Sequence, residues 1–166
     1  MEDDRRYDLG LGDDALCAIG RVSAQWAVLE YYLARTTIAL AQVFGTSNAA
    51  DNISFAARRT VFQNVLQCKC VPSEVRTTGV GLVNRMQAVE NRRHRIVHGM
   101  ANEFAGSPED QPPAIRFSRA APEKHWFTEI LTVSQITEIA DEIAKVNDVL
   151  AKLFLSIWRD YNVTGR

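Results

Sequence analysis

The residues of this chain best equipped for chemistry sit in one short run, "ENRRHRIVHGM", residues 90–100. It holds two of the three histidines together with Arg92, Arg93 and Arg95. An imidazole can take or give a proton near neutral pH, and a guanidinium stays charged and offers paired donors to a phosphate. Together these groups suit acid–base work on a phosphodiester. At ~100° per residue on an ideal helix, Asn91, His94, Arg95 and His98 share one polar face, and Met86, Val89, Ile96 and Val97 line the opposite one. Arg93 falls inside that apolar group. An unpaired buried charge is costly, so Arg93 needs an acidic partner or a ligand.

Plainer roles exist for each residue. Glu30, at the edge of the apolar stripe of the first helix, is the acidic partner that the pattern offers Arg93, giving a partly buried ion pair between helices. Such a pair leaves Arg93 able to present a nitrogen to a phosphate, because a guanidinium has five donors. His98 in the last helical turn would meet exposed carbonyls, with Gly99 as the residue that ends the helix. Glu90 and His94, four apart, would form a surface pair of small value. Periodicity alone favours capping over catalysis for His98.

The elements that must carry this run are helical. Asp13 or Asp14 can cap a first helix reaching about Phe44, with Val22, Trp26, Leu29, Leu33 and Leu40 as one apolar stripe. A second helix spans roughly Asp51 to Cys70, carrying Phe55, Phe62, Val65 and Leu66, and Pro72 ends it. Ser73 caps a third helix running to about His98, with Leu82, Met86, Val89, Ile96 and Val97 apolar. Gly79 and Gly81 read as a bend near its start. Residues 99–131 differ: "GSPEDQPP" forms turns, and "AIRFSR" and "HWFTEIL" alternate as a short β-hairpin would. Trp126 and His125 lie in that hairpin and receive no functional role. Thr132 with Gln135 reads as a capping box opening the last helix, which runs to about Tyr161 with Ile136, Ile139, Ile143, Val146, Leu150, Leu153 and Ile157 in register. The expected architecture is all-α: four long helices in an up-down bundle, with a short β-hairpin inserted before the last helix. Residues 1–12 are a tail and 13–162 a single helical domain.

Composition narrows the function. The chain has 166 residues, 46% hydrophobic and 23% charged, ordinary values for a globular domain. A net charge of −1 argues against tight, non-specific nucleic-acid binding, so any RNA contact must be local. No segment reaches the ~20 apolar residues that span a bilayer. The charged start, "MEDDRRYDLG", lacks an export signal, so a cytoplasmic location is expected and the sequon at Asn162 carries no meaning. Cys17, Cys68 and Cys70 are read as reduced, mostly packed thiols. Cys68 and Cys70, two apart on a helix, would face different sides and suit neither a disulfide nor zinc. No metal or cofactor is implied.

The spacing R-H-x-x-x-H, filled by Arg93, His94 and His98, resembles the R-x4–6-H motif of the HEPN superfamily. The ending "IVHGM" is similar to the close of the motif helix in many members, and "WAVLE" (residues 26–30) resembles the first helix of one bacterial branch. The helix order with its hairpin insertion extends the likeness over nearly the whole chain. The resemblance implies a homodimer in which two motifs face each other, and either a metal-independent endoribonuclease or a silent binding or regulatory module. Some members are toxins, so an antitoxin protein is an implied partner, as is RNA. Arg93 and His98 would then be catalytic, with His94, Arg95 and Asn91 on the substrate and Glu30 and Glu90 in support. His98 would take the 2′-OH proton or protonate the leaving 5′-oxygen, while Arg93 holds the phosphate.

Geometry adds one demand. Five residues of separation place Arg93 and His98 about 140° apart on a straight helix. Either the helix bends near Ile96 or two subunits complete one site, which a two-fold axis achieves directly. Three readings stay open: a ribonuclease, a silent module of the same fold, and an unrelated four-helix scaffold.

Overall fold

A computed structural model describes residues 11–45, 53–97, 100–103, 114–120 and 126–161. It is mostly helical. Its four helices are α1 (Asp13–Phe44), α2 (Phe55–Leu66), α3 (Ser73–Val97) and α4 (Val133–Tyr161), with strands β1 (Met100–Glu103), β2 (Ala114–Ala120) and β3 (Trp126–Thr132) between α3 and α4. Three helices are long, at 32, 25 and 29 residues, whereas α2 has only 12. No helix among the described residues is long and apolar enough to cross a membrane.

Local chemistry sets the helix ends. Asp13 and Asp14 lie in the first turn of α1, where carboxylates favour the positive end of the helix dipole, and Gly12 rather than an aspartate supplies the first carbonyl, to Ala15 and Leu16. Gly45 follows α1 at φ 67°, a left-handed conformation that a residue with a Cβ adopts reluctantly. Ser54 caps α2, its Oγ accepting from the Ala57 amide. The expected capping box on α4 is present in both directions: Thr132 N donates to Gln135 Oε1 at 2.9 Å, and Gln135 N to Thr132 Oγ1 at 3.2 Å.

Contacts divide the chain into two compact units, residues 1–24 with 90–141 and residues 25–89 with 142–166. In the first unit the expected hairpin is two strands of a three-stranded antiparallel sheet ordered β1-β2-β3. Strand β1, whose "MANE" has no apolar alternation, was not legible beforehand. Ile115 faces Leu131 and Phe117 faces Glu129 across β2 and β3, so these four share one face. Ile115, Phe117 and Leu131 are buried there, while Arg116, Thr128 and Ile130 occupy the exposed outer face. Ala114 of β2, Ala15, Ala18 and Val22 of α1, Ile96 of α3, and Ile136, Ile139 and Ala140 of α4 complete the unit's buried apolar set. On its surface Arg21 Nη2 meets Asp141 Oδ1 at 2.8 Å.

The second unit is built on Leu29, Leu33, Leu40, Phe62, Leu66, Leu82, Met86, Ile143 and Leu150, all within 1% of full burial. Its contacts fix helix direction. Asn147 Nδ2 donates to Gln25 O, Tyr32 packs on Phe154, and Phe44 packs on Tyr161, so α1 and α4 run the same way. The Trp26 ring meets Phe55 at 4.3 Å, and the Cys70 sulfur lies 3.5 Å from the Phe44 carbonyl oxygen, so α2 also follows α1. Helix α3 starts where the others finish, its Glu74 lining a cavity with Asp160 and Tyr161, and runs back against them. Within this unit the directions are therefore up, up, down, up rather than strictly alternating. The physical reason is that the 45–54 connection is long enough to return to the level where α1 passes Trp26.

Gly79 marks a close approach of α3 to α2: a Cβ there would lie 2.5 Å from Leu66 Cδ1. Cys68 and Cys70 are joined in a disulfide, not reduced, because α2 ends at Leu66 and leaves both in a turn instead of on opposite helix sides. Cys17 is a free thiol, though exposed rather than packed.

Candidate functional site

The motif helix places its side chains much as its periodicity requires. Met86 and Val89 precede Arg93 on the inward stripe and Ile96 follows it, at 0%, 4% and 2% exposure. Arg93 sits among them half-buried, with its Nε inaccessible to solvent. Asn91, His94 and Arg95 are exposed, and Glu90 and Arg92 are half-buried. His94 and Arg95 stand in the last described turn, where cations favour the negative end of the helix dipole. The result is a helix end that carries three consecutive cationic or protonatable residues from Arg93, one leaning inward and two facing water.

His98, one residue beyond Val97, lies outside the described residues, as do Gly99 and His125. Glu30 is half-buried on α1 and belongs to the second unit, whereas Asn91 to Arg95 and Glu90 belong to the first. The structure thus brings together Glu90, Asn91, Arg93, His94 and Arg95 on one helical stretch.

Sequence reasoning missed one member of this neighbourhood. Glu129 of β3 receives Arg95 Nη1 at 3.3 Å. Strand parity causes this: Glu129 has the same side-chain phase as Leu131 and is registered with Phe117, so it points to the inner face of the sheet. A carboxylate on the buried face of a strand needs a cation, and the end of α3 provides one. The signal was present in "WFTEILT", where Glu129 falls two residues before Leu131. With side-chain exposures of 45% for Arg95 and 26% for Glu129, the pair is a partly solvated contact that positions Arg95 without sealing it.

A cavity of about 500 Å3 opens in the other unit, with a lining that includes Glu74, Thr78, Lys152, Ser156, Arg159 and Asp160. No motif residue lines it. Arg159 Nε and Asp160 Oδ1 pair there at 2.8 Å, and this hydrogen bond holds the Asp160 carboxyl below its ordinary range. Both side chains are exposed, at 78% for Arg159 and 48% for Asp160.

No family model, curated protein or solved structure matches this chain.

Proposed function

We propose that this protein is a metal-independent endoribonuclease of HEPN type, acting at the end of α3 and working as a homodimer. The observation that supports it is the placement of Arg93: a guanidinium on the apolar stripe of α3, half-buried beside buried Val89 and Ile96, immediately followed by exposed His94 and Arg95. A half-buried guanidinium is preorganised, and charge stabilisation in a partly dry site exceeds what the same group gives in water.

RNA supplies its own nucleophile. The 2′-oxygen attacks phosphorus and the bond to the 5′-oxygen breaks, leaving a 2′,3′-cyclic phosphate and a free 5′-hydroxyl. His98 takes the 2′-OH proton or hands one to the leaving oxygen, since imidazole titrates near the working pH. Arg93 holds the non-bridging oxygens as charge builds, and His94 with Asn91 orients the phosphate. Two subunits related by a two-fold axis resolve the angular separation of Arg93 from His98, each supplying groups to a shared cleft. An antitoxin protein is the partner this reading adds.

The alternative is a silent binding or regulatory module. The Arg95–Glu129 pair favours it, since one of the cations beside the motif residues already has a structural carboxylate. Incubation with single-stranded RNA in EDTA separates the two. The enzyme yields fragments ending in a 2′,3′-cyclic phosphate and leaves a 2′-deoxy strand whole. Retention of intact RNA on the protein without cutting would establish the module instead.

A further inference from the structure

The turn between α2 and α3 contains chemistry that the RNA reading does not use. Cys68 and Cys70 flank Lys69 and are bonded to each other with their Cα atoms 5.4 Å apart. Cys68 is half-buried, and Lys69 and Cys70 are exposed. The Gln67 and Cys68 amides donate three residues back, to Asn64 O and Val65 O, so the helix tightens as it ends. Arg76 Nη2 bridges Cys68 O and Val71 O, at 3.0 Å each, and closes the turn from the α3 side.

Two states of this segment exclude each other. Residues two apart on an α-helix project about 200° apart, so Cys68 and Cys70 cannot bond while both are helical. Yet Gln67, Cys68, Lys69 and Cys70 include no helix breaker, and the first obstacle is Pro72. With the sulfurs parted, the Cys70 amide can donate to the Leu66 carbonyl and α2 can gain about one turn. A bridge this short also removes little freedom from the unfolded chain, so it gives the least stabilisation loop closure can give. The exposure of Cys70 opens the bond to attack by a small thiolate.

We propose that Cys68 and Cys70 form a thiol–disulfide exchange site for low-molecular-weight thiols, whose reduction lengthens α2. A small thiolate attacks Sγ of Cys70, the exposed member. The S–S bond breaks, its electron pair leaves on Sγ of Cys68, and that sulfur takes a proton from water. A second small thiolate attacks the small-molecule sulfur of the mixed disulfide. Cys70 departs as a thiolate and is protonated, and the two small thiols leave as their own disulfide. Two electrons enter the protein, and two small thiols are oxidised. Oxidation by a low-molecular-weight disulfide reverses each step.

The test uses the full chain with Cys17→Ser, which removes the exposed free thiol. It is equilibrated over about a thousandfold range of reduced to oxidised glutathione, quenched in acid, alkylated and weighed. Two thiols should appear together, with the half-point inside the range. Amide exchange at Cys70 should slow at least about tenfold in the reduced form, because a helical hydrogen bond replaces an open N–H. Cys68→Ser in the same background should retain glutathione on Cys70. A pair that stays closed, or stays open, across the whole range overturns the exchange site. Reduction without slower exchange at Cys70 overturns the lengthening of α2, and absence of the adduct overturns attack at Cys70.

Discussion

Arg95 reaches Glu129 at 3.3 Å through a half-solvated pair, and that contact governs what it can offer a phosphate. An exposed ion pair contributes under about 1 kcal/mol, so its loss should scarcely move the melting temperature. Its effect on RNA should be plainer. Glu129→Gln removes the competing carboxylate and frees a cation, so the log–log salt slope of single-stranded RNA binding should steepen by about 0.7. Fluorescence anisotropy across a salt series reads this directly. An unchanged slope would mean that Arg95 never meets the RNA backbone. The inward lean of Arg93 was legible in the spacing of Met86, Val89 and Ile96, because helical phase needs only local sequence. The partner of Arg95 was not, because it depends on strand register 34 residues away.

At the scale of elements, close packing and caps decide the outcome. Leu66 is fully buried and fills the space where a Gly79 Cβ would go. Gly79→Ala gains about 1 kcal/mol of helix propensity but overpacks the contact by roughly 1–3 kcal/mol. Urea unfolding should therefore show a net loss of about 1 kcal/mol. In a Leu66→Ala background the same substitution should change sign and stabilise by about 1 kcal/mol, since the obstruction is gone. Thr132→Ala removes half of the capping box on α4 and should cost about 1 kcal/mol in the same experiment. That box and the apolar register of α4 were readable in advance, because both are set within a few residues. The end of α2 was not. Nothing before Pro72 forbids helix, yet α2 ends at Leu66 and Cys68 and Cys70 are bonded in the turn that follows.

For the molecule as a whole, helix count and the presence of a small antiparallel sheet followed from sequence periodicity, whereas direction did not. Whether α2 follows or opposes α1 depends on the route of the 45–54 connection, and apolar spacing is silent about routes. The contacts of the second unit show α1, α2 and α4 aligned with α3 opposed. Assembly carries the remaining prediction at this scale. Light scattering at micromolar concentration should give twice the 18.6 kDa chain mass, and a purely monomeric protein would remove the shared cleft on which the proposed chemistry depends. The decisive measurement is the rate of RNA cutting in EDTA by wild type, Arg93→Ala and His98→Ala, with all three confirmed as folded. Loss of a phosphate-holding guanidinium or of a general acid–base imidazole should slow cutting by about 10²-fold or more in each variant. Equal rates from all three proteins would contradict catalysis at the end of α3.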